Sequence, residues 1–181
     1  MKSTLFALVE DIPGVLARVA MLFRRRAFNI ESLTVGHTEL PGVSRMTIVV
    51  DSDRTDAQKV VANLYKLVNV IQVEDLTERP SVTRDLALIK VHAEGGSSRS
   101  EVMQIVETFR ARVVDVSLDA LIIEVTGTDE KIDGLVDVLR PYGIAEMVRT
   151  GRVAMSRGSG HSRQPEAQPN LRTEDQETEN G

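Results

Sequence analysis

Apolar residues run without a break through Leu5-Phe6-Ala7-Leu8-Val9, then change period. The run predicts a strand over about Thr4–Glu10. Val15, Val19, Leu22 and Phe23 follow at helical spacing behind Asp11, a plausible N-cap, with Pro13 suited to the first helical turn. A second strand is expected from Phe28 to about Val35, a turn at Pro41-Gly42, and a third strand over Arg45–Val50. Asp53 to Leu67 reads as a helix with Ala57, Val60, Val61, Leu64 and Val68 on one stripe, and Val70–Val73 as a closing strand. The order is βαββαβ.

Thr77-Glu78-Arg79-Pro80-Ser81 is polar and contains a helix-breaking proline, which places a domain boundary there. The order then repeats. Leu86–His92 is a strand, and Ser98-x-x-Glu101 has the form of a capping box. Val102, Ile105, Val106 and Phe109 follow on one helix face. Val113–Val116 and Leu121–Val125 are strands. Thr128 or Asp129 caps a helix carrying Ile132, Leu135, Val136 and Leu139, Ile144–Val148 is a strand, and Arg152–Met155 adds a short one. The pattern predicts an α+β protein of two tandem ferredoxin-like sandwiches, residues 2–77 and 82–158, followed by a disordered acidic tail, 159–181. Units of this size have marginal cores when alone. Helices cover one face of each sheet, so the other face or an edge is expected to be buried by a partner, most economically by a homodimer.

Net charge is −5 over 181 residues, but the tail alone carries −3, leaving a near-neutral body with no electrostatic footprint for nucleic acid. The tail has one large apolar residue, Leu171, too little to offset its ordering entropy. The chain has no Cys, which excludes disulfides and thiol-based zinc or redox chemistry. No apolar run approaches a membrane span, and the first one lacks a small-residue cleavage site. These features point to a cytoplasmic protein with no membrane partner.

No catalytic constellation emerges. The three histidines, His37, His92 and His161, read as surface or strand-end residues, and no metal-ligand spacing occurs. Aromatics are 3% and absent from the candidate central strands, against RNA stacking. Gly95-Gly96-Ser97-Ser98 could cradle an anion but more simply connects a strand to a helix. Arg24-Arg25-Arg26 suits a helix C-terminus through the macrodipole.

The turn Asp11-Ile12-Pro13-Gly14-Val15-Leu16 is different. It leads into a helix N-terminus, where free N–H groups favour an anion, and Gly14 admits close approach to the backbone. Asp11 could accept from an ammonium. Asn29, beside apolar Ile30, supplies both donors and acceptors. An anion site beside a cation site fits a zwitterionic amino acid. The plainer alternative is that Asp11 only caps the helix and Asn29 only fills a turn.

The stretch resembles an ACT domain, an amino-acid-sensing module with a D/N-x-P-G-x-L turn. Three segments are more specific: Glu10-Asp11-Ile12-Pro13-Gly14-Val15-Leu16-Ala17-Arg18-Val19, Phe28-Asn29-Ile30-Glu31-Ser32-Leu33-Thr34-Val35 and Ser44-Arg45-Met46-Thr47-Ile48. With Phe109–Val116 and the closing Arg149–Gly158, they are similar to the regulatory small subunits of acetolactate synthase, across about residues 2–158.

The resemblance implies a subunit without catalytic residues or cofactors of its own. Its catalytic partner, the large subunit, would hold thiamine diphosphate, Mg²⁺ and FAD and condense pyruvate with pyruvate or 2-oxobutyrate, committing carbon to valine, leucine and isoleucine. The small subunit would activate that partner and confer feedback inhibition by valine or another branched-chain amino acid. It also implies that the effector lies between two ACT domains of a dimer, with Asp11, Ile12, Pro13, Gly14, Val15 and Leu16 from one chain and Asn29 and Ile30 from the other. Members often carry Asn where this chain has Asp11, and Gly where it has Ala27. An effector sensor acting on a different protein partner is the competing class.

Overall fold

The computed structural model describes residues 2–158 apart from 52, 54 and 55. The predicted acidic tail, with His161, therefore lies outside the described residues.

The first half runs β1 (Lys2–Glu10), α1 (Val15–Arg26), β2 (Ile30–His37), β3 (Val43–Asp51), α2 (Ala57–Leu64) and β4 (Val70–Asp75). Its antiparallel sheet has the order β2-β3-β1-β4, so β2 is an edge strand. The second half runs β5 (Ser81–His92), α3 (Gly96–Thr108), β6 (Arg112–Val116), β7 (Ala120–Gly127), α4 (Asp129–Leu139), β8 (Ile144–Arg149) and β9 (Val153–Ser156). Its sheet has the order β6-β7-β5-β8, and β9 pairs with the beginning of β5. The architecture is the expected pair of α+β ferredoxin-like sandwiches.

Each half has its own core. Leu5, Ala7, Val9, Ile48 and Val50 of the first sheet meet Val15, Val19 and Phe23 of α1 and Val60 and Leu64 of α2. Ala87, Ile89, Val91, Leu121, Ile123 and Val125 meet Val102 and Val106 of α3 and Ile132, Leu135 and Leu139 of α4. Both first helices end alike. The Phe28 N–H reaches the Phe23 carbonyl and the Ala27 N–H the Arg24 carbonyl, with Ala27 left-handed at φ 53°. The Phe23 and Phe28 rings close this motif edge to face, 5.8 Å apart. Ala111 and Arg110 repeat the pattern on Val106 and Glu107, with Arg110 at φ 50°.

Several boundaries differ from the sequence expectation. Asp11 does not cap α1. Gly14 occupies the N-cap position at φ 89°, and Pro13 precedes the helix. The second helix starts at Ala57, capped by Asp56 accepting from the Gln58 N–H at 2.9 Å. It stops at Leu64, and the Tyr65 hydroxyl next to its end bonds to the Val73 backbone of β4, so Val68 lies outside the apolar stripe and is exposed. Ser98-x-x-Glu101 is not a capping box, since α3 already begins at Gly96 behind Gly95 at φ 80°. The Glu101 carboxylate instead accepts from the Tyr142 hydroxyl.

The largest departure concerns the second face of the first sheet. It is covered by β9 of the same chain and not left for a partner. Phe6 and Leu8 pack there with Leu76 and Ala154. The strand that carries β9 is the longer-than-expected β5, whose first four residues pair Ser81 with Ser156 through Arg84 with Val153. Gly151, at φ 86°, brings the chain so close to Ser32 that a Cβ would collide with its hydroxyl.

Candidate functional site

The turn between β1 and α1 is fixed from three sides. The Asp11 N–H donates to the Gly42 carbonyl at 2.8 Å, tying the turn to the β2–β3 loop. The Glu10 N–H donates to the Asn69 carbonyl, and the buried Asn69 amide donates back to the Glu10 carboxylate at 2.5 Å. The Arg18 guanidinium donates to Asn69 Oδ1 at 2.6 Å, locking the start of α1 to the same asparagine. Among the described residues, no acceptor pairs with the N–H groups of Gly14, Leu16 or Ala17. These donors, at the positive end of the helix dipole, form the anion-favouring part of the site.

The Asp11 carboxylate faces His37 Nδ1 at 3.1 Å. The two groups form an ion pair when the imidazole is protonated. Ile12 and Leu16 are about half exposed, at 51% and 47%, and give the turn an apolar flank. Val15 points into the core, so only its backbone can contribute. Pro13 is exposed between them.

Asn29 and Ile30 lie elsewhere. They begin β2 at the far end of α1, and a 12-residue helix is about 18 Å long. The exposed Asn29 amide makes only a 3.5 Å contact with Glu31, while Ile30 packs in part against the core. One chain therefore assembles Asp11 through Leu16 but does not bring Asn29 and Ile30 to them. β2 instead delivers its other end, His37, to Asp11. In sequence His37 reads as a surface or strand-end residue, and neither it nor Arg18, Glu10 or Asn69 carries a site role there. His37 could have been found by carrying the strand two residues past Val35, since β2 returns alongside α1.

A cavity of about 380 Å³ lies between the two halves and not at this turn. Its three cations are each paired with a lining carboxylate. Arg149 donates to Asp85 and Asp133, and Arg152 to Asp129 and the Thr4 hydroxyl. We regard it as a polar seam. The Arg152 N–H also donates to the Ser32 hydroxyl, so the seam ties β9 to β2. Among the described residues, no group of three or more His, Cys, Asp or Glu is placed to hold a metal ion. No helix among them is long and apolar enough to cross a membrane.

Comparison with known proteins gives a consistent picture. A family model described as the AHAS small subunit-like ACT domain matches residues 5–72. A second, described as the small subunit of acetolactate synthase, matches residues 84–158. The chain is 55% identical over 159 residues to the probable acetolactate synthase small subunit of Archaeoglobus fulgidus, covering 88% of this chain and 99% of that one. It is 56% identical over 155 residues to the acetolactate synthase small subunit of Mycobacterium leprae, covering 86% and 91%. The crystal structure of the acetolactate synthase small subunit from Thermotoga maritima superposes with a TM-score of 0.80 at 40% identity, covering 87% and 98% of the two chains.

Proposed function

This chain belongs to the acetolactate synthase small-subunit family, and from that premise we propose that it activates a catalytic large subunit and makes it sensitive to feedback inhibition by valine or another branched-chain amino acid. The thiamine diphosphate, Mg²⁺ and FAD of the reaction belong to the catalytic partner in this reading. The chain's own task is to bind the effector and transmit its presence.

The observation that carries the proposal is the separation of Asp11–Leu16 from Asn29–Ile30 along α1, together with the position of β2 at the sheet edge. An edge strand presents unpaired N–H and C=O groups that a second strand can satisfy. Two copies of β2 pairing antiparallel over their full length would set Ile30 of one strand opposite His37 of the other. Each effector turn would then meet the partner's Asn29 and the partner's Ile30, forming a two-chain pocket at each end of the paired strands.

The chemistry of that pocket suits an aliphatic α-amino acid. The α-carboxylate takes the free N–H groups of Gly14, Leu16 and Ala17, and the α-ammonium takes Asp11. The branched side chain packs on Ile12, Leu16 and Ile30. His37, when protonated, offsets the negative charge of Asp11, which would otherwise repel the incoming carboxylate.

Titration calorimetry with valine tests the site. Asn29→Ala is expected to weaken binding about tenfold, the usual consequence of losing one hydrogen bond to a charged group. Binding that survives the substitution unchanged would remove Asn29 from the site. Mixing with the catalytic subunit is expected to raise pyruvate condensation, and valine to lower it again, with a coupling of about 1–3 kcal/mol.

A further inference from the structure

A second cavity, about 290 Å³, lies under β2 and β3 where the β5–β9 ribbon passes beneath the first sheet. Its lining differs in character from the polar seam. Val82, Val153 and Met155 form an apolar wall, and all three are substantially exposed in the chain as it stands. Arg45 and Arg84 stand at its rim with His37, and none of its lining residues is a carboxylate.

Arg45 is the informative group. Its guanidinium lies 3.9 Å from the centroid of the Phe6 ring and donates to the Ala154 carbonyl at 2.8 Å. Among the described residues, no carboxylate reaches ion-pairing distance of it. Burial lowers its pKa, and Glu74 and Glu39 oppose this only from a distance. A half-buried cation without a close counter-ion is costly unless an anion completes it. Arg84 uses one donor on its neighbour's carbonyl, from Thr83, and keeps the rest for the cavity.

We propose that this cleft is a second ligand site, separate from the effector turn, for a small aliphatic carboxylate that carries no ammonium group. The carboxylate meets Arg45 and Arg84, and a short branched chain covers Val82, Val153 and Met155. An amino acid is disfavoured because the lining offers no carboxylate to its ammonium. The volume, at the low end for ligand pockets, limits the occupant to a few carbons. His37 lines the cleft and also faces Asp11 across 3.1 Å, so an occupant sits one side chain from the effector turn.

The test uses the full chain, with 3-methylbutanoate as the probe and inorganic phosphate and 3-methylbutan-1-ol as controls, read by calorimetry and backbone amide NMR. Saturable binding of the acid alone is expected, with shifts at Thr34, Thr47 and Val153. Met155→Glu, at an exposed position, places a like charge in the cleft and is expected to weaken binding at least tenfold. Arg84→Ala is expected to weaken it about threefold. Asn29→Ala is expected to leave it unchanged, which keeps the cleft independent of the effector proposal. Four results would overturn the assignment: no saturable binding, equal binding of phosphate, shifts centred on Gly14 and Leu16, or full affinity in Met155→Glu.

Discussion

The two halves share one order of elements, one sheet topology and one way of ending their first helix, yet they treat the second face of the sheet in opposite ways. In the first half every residue from Ser3 to Val9 is buried, because α1 and α2 lie on one side and β9 on the other. In the second half burial alternates along β5, and the outer face carries half-buried Leu86, Leu88 and Ile122, a 58% exposed Val148, and charged pairs such as Arg112 with Glu124. A common fold therefore does not dictate how many layers a half contains. The first half is a three-layer unit that borrows its third layer from the far end of the chain. The second half is a two-layer unit that donates the strand. What the arrangement leaves open in the first half is its edge, β2, where the effector turn ends its circuit.

The largest expected effect follows from that difference. Phe6→Ala should destabilise the protein by about 3–5 kcal/mol, since it empties the space under β9 and removes the aromatic surface beneath Arg45. Leu88→Ala, at the matching depth of the second half, should cost only about 1 kcal/mol because its face is half solvated. Urea unfolding measures both, and equal costs would break the comparison.

Next comes the seam. Asp85 is 6% exposed and accepts from Arg149 and Thr150. Asp85→Asn should cost about 1–2 kcal/mol by weakening a charge-assisted pair, while Arg149 keeps Asp133. Hydrogen exchange should locate the loosening at β9 and not in the core of either half.

The smallest effect probes what the halves share. Ala27 and Arg110 both hold left-handed conformations that glycine adopts more readily. Ala27→Gly and Arg110→Gly should each stabilise by about 0.5 kcal/mol, a relief of φ strain partly offset by unfolded-state entropy. A gain in one half alone would show that the two helix endings are not equivalent.

The element order was legible because hydrophobic periodicity is local. The burial of β1 on both faces was not: Leu5-Phe6-Ala7-Leu8-Val9 is an unbroken apolar run, but so is Leu86-Ala87-Leu88-Ile89 in β5, and the pattern leaves the second face of each sheet to a partner. The identity of the covering strand was not legible. Phe6 meets Ala154 across almost the entire chain, and no local pattern encodes that contact. The turn between β1 and α1 was readable from Pro13-Gly14, but the loss of Asp11 as a cap was not, because Gly14 at positive φ moves the helix start beyond the reach of its side chain. His37 reads in sequence only as a surface or strand-end residue, because its partner Asp11 is set by the strand's return and not by sequence spacing.

The central claim is that the effector pocket needs two chains, and a mixed dimer tests it most directly. Gly14→Asp damages the turn, and Asn29→Ala the opposite end of β2. Each variant alone is expected to bind valine more weakly at every site, about tenfold for Asn29→Ala, since every pocket in its dimer contains the damaged residue. A dimer purified with one copy of each has one pocket built from two intact parts. Calorimetry of that mixed dimer is expected to recover valine binding at wild-type affinity and about half the wild-type stoichiometry. Absence of wild-type-affinity binding in the mixed dimer would contradict a shared pocket and place both residues in a site within one chain.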